Sequence, residues 1–393
     1  MAGAVFDRFS ALAGKVLLPP LLLGLATGAG GAVLYDKQIT GREVVIVTPD
    51  RHAGAVPLVV ALHGCDQSPM EFLESTGLDA LVDREQLVLA LPRARGGSDN
   101  PRGCWQWWEP GNQRRTGPDP VHIAEVTRAM DVRVDPERMY VLGFSSGAAM
   151  TTILATVYPD VFAAAGVHSG VGFAAAGNVT CALKTMETTP VDAATRGELG
   201  YLHQALHRIV PTMIIHGDED ATVDPHHAEA LVRETAQRND FIDDGDGDND
   251  SFDAEPDASF EDSGPCTLED NASCHAHRVA HFEDRDGNVM LERVLIDELG
   301  HAWSGGAAGH RYADPAGPDA ATLFWAFFDK HRLDTEALQP APPRRCEDWW
   351  APPWWHYAWA GTMSFREYAC DMNPWSMVWR HRIDSVSGPG PCP

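Results

Sequence analysis

A serine at the centre of a Gly-x-Ser-x-Gly pentapeptide is the residue best suited to do chemistry. The pentapeptide is Gly143-Phe144-Ser145-Ser146-Gly147, with an apolar run before it and a helix-forming stretch after it. Strand, sharp turn and helix start form the context in which it becomes a nucleophile elbow, which exposes the serine hydroxyl above a sheet. Such a turn strains the serine backbone and leaves room only for small residues at the outer positions. An ordinary strand-to-helix turn has the same pattern, so Ser145 needs partners.

A histidine and a carboxylate follow Ser145 in the order that such a serine requires. The histidine accepts the serine proton, and the carboxylate orients the histidine and stabilises its charged form. Behind a nucleophile elbow the acid precedes the histidine in the chain. His301 lies past the last predicted strand among small residues, and it is the best candidate base. Four acids compete after the strand predicted at 213–215, and position alone does not select among them: Asp218, Glu219, Asp220 and Asp224.

Two backbone amides are candidates for stabilising the oxyanion that forms when a serine attacks a carbonyl. One belongs to Ser146, the residue after the nucleophile. The other belongs to the loop after the apolar run 58–62, which continues into His63-Gly64-Cys65. The Cys65 amide is therefore the second candidate, although an ordinary turn also explains the His63-Gly64 pair.

Short apolar runs alternate with helical patterns between about residues 42 and 333. The predicted strands are 44–47, 58–62, 87–91, 139–144, 163–167, 213–215 and 289–296, and the predicted helices lie near 120–130, 148–157, 227–238 and 319–331. Nearly all-apolar strands between helices are typical of a mainly parallel sheet covered on both faces. Loops at the carboxyl ends of such strands carry functional residues. The sequence therefore predicts an α/β fold in which the candidate residues follow strands.

Composition and charge limit the size and the partners of the protein. A chain of 393 residues with 44% hydrophobic residues can form one large domain and an appendage. The formal net charge of −26 argues against nucleic acid or an anionic membrane surface as a partner.

The amino terminus has the pattern of an export signal. Arg8 and Lys15 precede the apolar run 16–25, and small residues follow it. This pattern predicts a secretory signal peptide at residues 1–32 and a secreted or periplasmic protein. The run is too short for a membrane span and is interrupted by Pro19-Pro20, so no integral membrane association is expected.

Eight cysteines agree with export, because an even count in an exported chain suggests disulfides. Their pairing does not follow from the count. No Cys-x-x-Cys pair occurs, so a structural zinc site is not expected. The cysteines are Cys65, Cys104, Cys181, Cys266, Cys274, Cys346, Cys370 and Cys392.

Two segments depart from the alternating pattern. Residues 240–274 are acidic and poor in apolar residues, which predicts a surface insertion, pinned by Cys266 and Cys274. Its acids have the spacing of a calcium loop, but Asn249 replaces the required glycine, so a solvated acidic loop is favoured and no metal is predicted. Residues 336–393 are rich in Trp and Cys, and they form either a small packed region or an aromatic surface for polymer.

Together the motifs resemble the polyhydroxybutyrate depolymerase family of esterases, which is related to feruloyl and acetylxylan esterases. The resemblance covers roughly residues 42–333 apart from the acidic insertion. It implies an α/β-hydrolase fold for a catalytic domain at 35–335. The segments that carry it are LHGCDQ at 62–67, GCWQWW at 103–108, RMYVLGFSSG at 138–147, YPDVFA at 158–163, VHSG at 167–170, GHAWSGG at 300–306 and YADPAGPDA at 312–320.

The resemblance assigns a role to three residues. It implies Ser145 as nucleophile and His301 as base. It selects Asp220 as the acid, because Asp220 occupies the aspartate of the family pattern His-Gly-x-x-Asp-x-x-Val. The prediction is an exported serine esterase that needs no metal and no organic cofactor.

The resemblance also implies features of the substrate cleft. It suggests a Cys65–Cys104 disulfide, which would tie the oxyanion loop to the tryptophan loop. Trp105 and Trp107 would line the cleft. Gln106 stands where the family usually has asparagine, and this difference bears on the substrate geometry.

Three functions remain as alternatives. The favoured substrate is polyhydroxybutyrate or another short-chain polyhydroxyalkanoate. A second reading within the same enzyme class is a feruloyl or acetylxylan esterase that acts on plant polysaccharide. A reading from another class is a polymer-binding protein with an inactive hydrolase domain, against which the complete set of Ser145, Asp220 and His301 argues.

Overall fold

The computed structural model describes residues 32–188, 193–262, 274–335 and 338–340. The predicted signal peptide, apart from residue 32, and the Trp- and Cys-rich region at 336–393, apart from 338–340, lie outside the described residues. The longer strands are β1 Val33–Ile39, β2 Arg42–Thr48, β3 Val56–Leu62, β4 Val88–Pro92, β5 Val134–Phe144, β6 Ala164–His168, β8 Thr212–Gly217, β9 Ala258–Asp262, β10 His277–Glu283 and β11 Val289–Ile296. The two-residue strands are β7 Leu206–His207, β12 Trp303–Ser304, β13 Ala313–Asp314 and β14 Gln339–Pro340.

The ten longer strands form one sheet in the order β1-β2-β4-β3-β5-β6-β8-β11-β10-β9. The strands from β4 to β11 in this order pair in parallel. Antiparallel strands form both edges of the sheet, β1 and β2 at one edge and β10 and β9 at the other. A parallel sheet needs crossover connections, which place helices on its faces.

Eight helices of the described part supply these connections. They are α1 Pro69–Thr76, α2 Asp79–Glu85, α3 Pro118–Arg128, α4 Ser146–Val157, α5 Val179–Met186, α6 Ala193–His203, α7 His226–Asp243 and α8 Ala320–Phe328. The architecture is that of an α/β-hydrolase, as the sequence resemblance implied. Within the described residues, no helix combines the length and apolar character that a membrane crossing demands.

The sheet is buried on both faces, and its strands are apolar for that reason. In β2, Val44 and Ile46 belong to one core cluster, whereas Val45 and Val47 belong to the cluster on the opposite face. Successive strand residues point to opposite faces of the sheet. A strand that is buried on both faces is therefore apolar at nearly every position. Helices α3 and α4 pack on the first cluster, and α1, α2 and α8 pack on the second.

The predicted strands and helices are all present, and the elements that the sequence did not predict are peripheral. The unpredicted strands β1 and β9 are the two edge strands of the sheet, and the unpredicted β10 lies next to β9. An edge strand is not enclosed on both faces, and in β1 only Ile39 is buried, whereas its other residues are exposed or partly buried. Short helices such as α2 contribute only two buried side chains, Leu81 and Val82, so their apolar periodicity is weak.

The acidic segment 240–274 is more integrated than a plain surface insertion. Asp240 is fully buried at the carboxyl end of α7. Its carboxylate accepts hydrogen bonds from the backbone amides of Asn249, Ser251 and Phe252. Phe252 is only 3% exposed, and β9 extends the sheet edge. A single buried carboxylate therefore folds the start of the segment back onto the domain.

An arginine lies among the carboxylates that have calcium-loop spacing. Arg285 Nη2 is 3.0 Å from Asp244 Oδ2 and 3.0 Å from Asp250 Oδ1. The chain therefore supplies a positive charge between these two acids. Asn249 adopts a positive φ of 61°, the conformation for which glycine is usually needed. Cys274 is disulfide-bonded, and Cys266 lies outside the described residues.

Four parallel strands bring the candidate residues to one edge of the sheet. Strand β3 leads to Cys65, β5 to Ser145, β8 to Asp220 and β11 to His301. Parallel strands have their carboxyl ends at the same edge, so these four loops converge. The sheet order places β5 between β3 and β6, near the centre of the molecule.

Candidate active site

Ser145 occupies a strained turn between β5 and α4. Its φ of 56° and ψ of −116° lie in a region that non-glycine residues rarely adopt. Close approach of the backbone explains both flanking glycines. A Cβ at Gly143 would lie 2.3 Å from the carbonyl of Gly147, and a Cβ at Gly147 would lie 2.1 Å from the oxygen of Leu62. The turn is therefore the tight elbow that the pentapeptide predicted.

Two hydrogen bonds connect Ser145, His301 and Asp220. Ser145 Oγ lies 3.0 Å from His301 Nε2. His301 Nδ1 lies 2.7 Å from Asp220 Oδ2. A carboxylate only accepts, so Nδ1 carries the proton, and Nε2 is free to accept the hydrogen bond from the serine hydroxyl. This is the arrangement in which a histidine can remove a proton from a serine.

Asp220 is held rigidly and stays ionised. Its Oδ1 accepts hydrogen bonds from the backbone amides of Thr222 and Val223 at 2.9 and 2.8 Å. Its side chain is fully buried. Burial by itself raises the pKa of Asp220, but hydrogen bonds from His216 and His301 outweigh it and bring the pKa well below its usual range. The carboxylate therefore carries its negative charge at neutral pH.

The three competing acids have other partners or none. Asp218 accepts the backbone amide of Glu298 at 2.7 Å, which caps the loop that leads to His301. Asp224 accepts the backbone amide of His226 at the start of α7. Glu219 is exposed to solvent. Among the four candidates, Asp220 is the one that meets His301.

The loop that carries His301 packs on aromatic rings below the site. Phe144 lies under His301, with ring centroids 4.9 Å apart. Trp303 is fully buried and contacts Phe72 edge to face at 5.5 Å. The backbone amide of Ser304 donates a hydrogen bond to His168 Nε2 at 3.1 Å. His301 is thus held by the Phe144 ring of the elbow beneath it and by the buried Trp303 and Ser304 that follow it in the chain.

The loop after β3 lies directly against the elbow. A Cβ built on Gly64 would be 3.3 Å from the Cβ of Ser145. The Gly64 amide donates to Gln67 Oε1 at 2.8 Å, so this amide already has an acceptor. In the described part of the chain, the amides of Cys65 and Ser146 have no such acceptor. Within the described residues these two donors therefore stay available to an acceptor, and the oxyanion role of Cys65 and Ser146 stays a prediction.

The Cys65–Cys104 disulfide is present, with a Cα–Cα distance of 4.3 Å. Polar contacts reinforce it next to the bond. The Asp66 amide donates to the Arg102 carbonyl at 2.7 Å, and Arg102 Nε and Nη2 both donate to Asp66 Oδ2. The loop that carries the Cys65 amide is thus fixed to the tryptophan loop by one covalent and several polar links.

A buried histidine supports the same loop from below. His63 Nδ1 donates to the Gly64 carbonyl at 2.8 Å, and its Nε2 accepts the Ala94 amide at 3.1 Å. These bonds require the neutral ring. Burial agrees with this, because it lowers the pKa of His63 to about 4.

Trp105 and Trp107 are the most deeply buried aromatic residues of the tryptophan loop. Trp105 and Trp107 are 0% and 3% exposed and belong to the core cluster beside α3 and α4. Gln106 and Trp108 are partly exposed, so these members of the loop are the ones that a ligand can reach. Asp119 holds the loop by accepting the Gln106 amide at 3.4 Å. Direct contact of Trp105 and Trp107 with substrate stays a prediction.

Sequence reasoning gave no role to two buried histidines at this edge. His168 ends β6, and His216 lies in β8. His216 Nε2 donates to the Val223 carbonyl at 3.0 Å and lies beside Asp220. The sequence feature that could have indicated a role for them is a histidine inside or at the end of an otherwise apolar strand, because a buried polar ring needs a specific hydrogen-bond partner.

Comparison with known proteins identifies similar sequences. The sequence profile of the family described as Esterase PHB depolymerase matches residues 44–252. Poly(3-hydroxyalkanoate) depolymerase C of Paucimonas lemoignei is 31% identical over 255 residues, which cover 62% of this chain and 54% of that protein. Feruloyl esterase B of Thermothelomyces thermophilus is 32% identical over 216 residues, covering 51% of this chain and 71% of that protein. The chain thus spans about half the length of the depolymerase.

A solved structure supports the fold independently. The acetyl xylan esterase from Aspergillus awamori aligns with a TM-score of 0.55 at 17% identity, over 75% of this chain and 98% of that chain. At this identity the likeness concerns the fold alone. The profile match extends over Ser145 and Asp220 and ends before His301, so the position of the base depends on the geometry described above.

Proposed function

The chain belongs to the Esterase PHB depolymerase family, a family of carboxylic ester hydrolases, and we propose that it is an exported serine esterase with Ser145, His301 and Asp220 as its catalytic triad. One observation carries the proposal. The strained elbow aims Ser145 Oγ at His301 Nε2 over 3.0 Å, while a buried, ionised Asp220 holds the other ring nitrogen at 2.7 Å.

In the first half of the reaction the serine is acylated. Ser145 Oγ forms a bond to the ester carbonyl carbon as its proton passes to His301 Nε2. Asp220 stabilises the imidazolium that results. The bond between the carbonyl carbon and the alcohol oxygen then breaks, and His301 returns the proton to the departing alcohol.

The negative charge on the tetrahedral intermediate needs donors that are already in place. The amides of Cys65 and Ser146 are suited to this, since both flank Ser145 and neither has an acceptor within the described residues. The helix α4 begins at Ser146, so its positive end also faces the oxyanion. Removing one such donor typically lowers kcat by about 10²- to 10³-fold.

Water completes the cycle. It attacks the acyl carbon while His301 accepts its proton, and the bond from that carbon to Ser145 Oγ breaks as the proton returns to the serine. The products are a carboxylic acid and the free enzyme. The acyl group passes from the ester to Ser145 and then to water, and His301 carries the proton in both halves of the reaction.

We place a short-chain polyhydroxyalkanoate such as polyhydroxybutyrate first among the substrates. The 255-residue similarity to a poly(3-hydroxyalkanoate) depolymerase supports this choice. Feruloyl or acetyl esters of plant polysaccharide are the second candidate, supported by the similarity to a feruloyl esterase over 71% of its length. The partly exposed Gln106 and Trp108 are the side chains of the tryptophan loop that we expect to distinguish these substrates.

Disulfide chemistry supports the export part of the proposal. Every cysteine of the described residues is disulfide-bonded: Cys65, Cys104, Cys181 and Cys274. Disulfides persist in oxidising compartments and are rare in a reducing cytosol. Amino-terminal sequencing of the processed protein tests export, and we expect the mature chain to begin near residue 33, just before β1.

A fluorophosphonate probe tests the catalytic assignment. We expect one label on the native protein, at Ser145, and none on the Ser145→Ala variant. Equal labelling of the two proteins would remove Ser145 as the nucleophile. A native protein that takes up no label would favour the reading as an inactive binding protein.

Incubation with polyhydroxybutyrate granules, feruloylated xylan and acetylated xylan in parallel tests the substrate. We expect hydroxybutyrate or its oligomers to be released, and no release from Ser145→Ala. Release of ferulate or acetate alone would move the assignment to the second candidate.

A further inference from the structure

We propose that His168 is a positioning residue that locks the base loop onto the nucleophile elbow. The inference rests on the proposed triad and concerns a residue that does not touch the reacting atoms. His168 is the last residue of β6, the strand between the one that carries Ser145 and the one that leads to Asp220.

The backbone of His168 holds the elbow. The Ser145 amide donates to the His168 carbonyl at 3.0 Å. This bond anchors the nucleophile at the point where its backbone is strained. The next residue continues the anchoring, because the Ser169 amide donates to the Ile215 carbonyl of β8 at 2.9 Å. The ends of β5, β6 and β8 are thus tied together at this dipeptide.

The ring of His168 holds the base loop. Its Nε2 accepts the backbone amide of Ser304, three residues after His301, at 3.1 Å. An accepting Nε2 carries no proton, so the proton of the neutral ring is on Nδ1. Nδ1 lies 3.1 Å from Ser169 Oγ and donates to it. Both ring nitrogens therefore have partners, and the partner of each nitrogen fixes the tautomer.

Packing leaves the His168 ring one orientation. The ring stacks on Trp303 at a centroid distance of 5.0 Å and meets the edge of Phe144 at 5.5 Å. Its exposed fraction is 0%. Phe144 precedes the nucleophile and Trp303 lies two residues after the base, so the ring sits between the segments that carry the two reacting groups. One side chain thus sets the separation of Ser145 Oγ and His301 Nε2.

Loss of this link should lower turnover more than binding. Small displacements between reacting groups reduce rates by about 10²-fold without new contacts to the substrate. His168→Asn removes the acceptor, because its amide is too short to reach the Ser304 amide. His168→Gln keeps an acceptor oxygen near the position of Nε2. The two variants lose the same ring packing, so their difference isolates the Ser304 hydrogen bond.

The test measures kcat and KM on a soluble p-nitrophenyl ester and the rate of inactivation by a fluorophosphonate. For His168→Asn we expect kcat and the inactivation rate to fall together by about 10²-fold, with KM changed by less than about threefold. For His168→Gln we expect kcat to recover to within about tenfold of the native value. His122→Asn and His122→Gln are matched controls in α3, where a buried histidine bonds to Thr40, and both should keep the native kcat.

Equal loss of kcat in the folded Asn and Gln variants, or native kcat in His168→Asn, would overturn the proposal. Thermal unfolding of each variant establishes that it is folded. If His168→Asn does not fold, Ser169→Ala carries the test, since it removes only the partner of Nδ1. We then expect kcat to fall about fivefold at constant KM, and an unchanged kcat would overturn the proposal.

The native protein separates this inference from the proposed function. If it neither hydrolyses the soluble ester nor reacts with the probe at Ser145, the proposed function fails and the positioning role fails with it. If the native protein is active and His168→Asn is as active, only the positioning role fails.

Discussion

His216 Nε2 lies 3.5 Å from Asp220 Oδ2, the same oxygen that accepts the Nδ1 proton of His301 at 2.7 Å. Asp220 is therefore flanked by two histidines, one from the strand that precedes it and one from the loop after β11. Two backbone amides bind the other carboxylate oxygen. The carboxylate has little freedom to rotate, and it can orient His301 without losing its own position.

This geometry predicts that Asp220 and no neighbouring acid supports catalysis. Asp220→Asn should lower kcat by about 10⁴-fold, because an amide can donate to His301 Nδ1 and so favour the wrong tautomer. Glu219→Gln, one residue away and exposed, is the matched control and should keep kcat within about threefold. Steady-state kinetics on a soluble ester gives both values, and a comparable loss in Glu219→Gln would contradict the assignment.

The elbow predicts a strong dependence on Gly147. A Cβ at this position would lie 2.1 Å from the backbone oxygen of Leu62, which cannot move without disturbing β3. Gly147→Ala should therefore lower the free energy of unfolding by at least about 2 kcal/mol and abolish probe labelling of Ser145. Gly96→Ala is the control, since no atom lies within 4 Å of its Cβ position. Denaturant unfolding of both variants makes the comparison, and equal stability would refute the steric argument.

The Cys65–Cys104 disulfide should contribute to both stability and turnover. The bond joins residues with a sequence separation of 39. For a loop of this length, chain entropy predicts that removing the bond lowers the free energy of unfolding by about 4 kcal/mol. The double variant Cys65→Ser, Cys104→Ser should also lower kcat, because the Cys65 amide is less firmly held.

Arg102→Ala is the matched comparison for the disulfide variant, because it removes the ion pair with Asp66 beside the bond and leaves the disulfide intact. A partly exposed ion pair contributes about 0–1 kcal/mol, so its loss should be much smaller. Denaturant unfolding and kcat on a soluble ester are measured for both variants. A kcat unchanged in the double variant would show that the amide is held without the disulfide.

Buried histidines predict a loss of stability at acid pH. Burial lowers the pKa of His63 and of His227 from 6.5 to about 4. The unfolded chain binds protons at these residues below pH 6.5, whereas the folded protein does not until about pH 4. The stability that the neutral, buried histidines confer is therefore complete above pH 6.5, and it is lost as the pH falls from 6.5 to about 4. Each histidine should remove about 1.4 kcal/mol of unfolding free energy per pH unit.

Guanidinium unfolding followed by tryptophan fluorescence, near neutral pH and near the lower end of the window, measures this loss. His227→Gln should make the pH dependence shallower, because it removes one of the buried histidines whose pKa is lowered by burial. A free energy of unfolding that does not change across the window would exclude the effect. Below this window, protonation of Asp220 lowers the free energy of unfolding further, because it breaks the hydrogen bonds that keep the pKa of Asp220 low.

Much of the fold was predictable because the parallel strands are enclosed by two cores. A run such as 58–62 must be apolar on both faces, and this is visible in the sequence without any structure. The edge strands β1 and β9 were not predicted because exposure lets their residues be polar. Strand β10, next to β9, was not predicted because polar residues such as His277, Arg278 and His281 interrupt its apolar run. The acidic segment differs for another reason. Its ordering depends on Asp240, whose three backbone partners lie 9 to 12 residues further along the chain.

The sequence alone determined the nucleophile candidate, the base candidate and the loop that offers Cys65, since each is a local signal at the end of an apolar run. It did not by itself choose among the four acids, and the family pattern was needed to select Asp220. The tertiary structure decided which carboxylate meets His301, how deeply Trp105 and Trp107 are buried, and that His168 and His216 support the site. These are contacts between strands far apart in the chain, and side-chain direction at a strand end is set by packing rather than by local sequence.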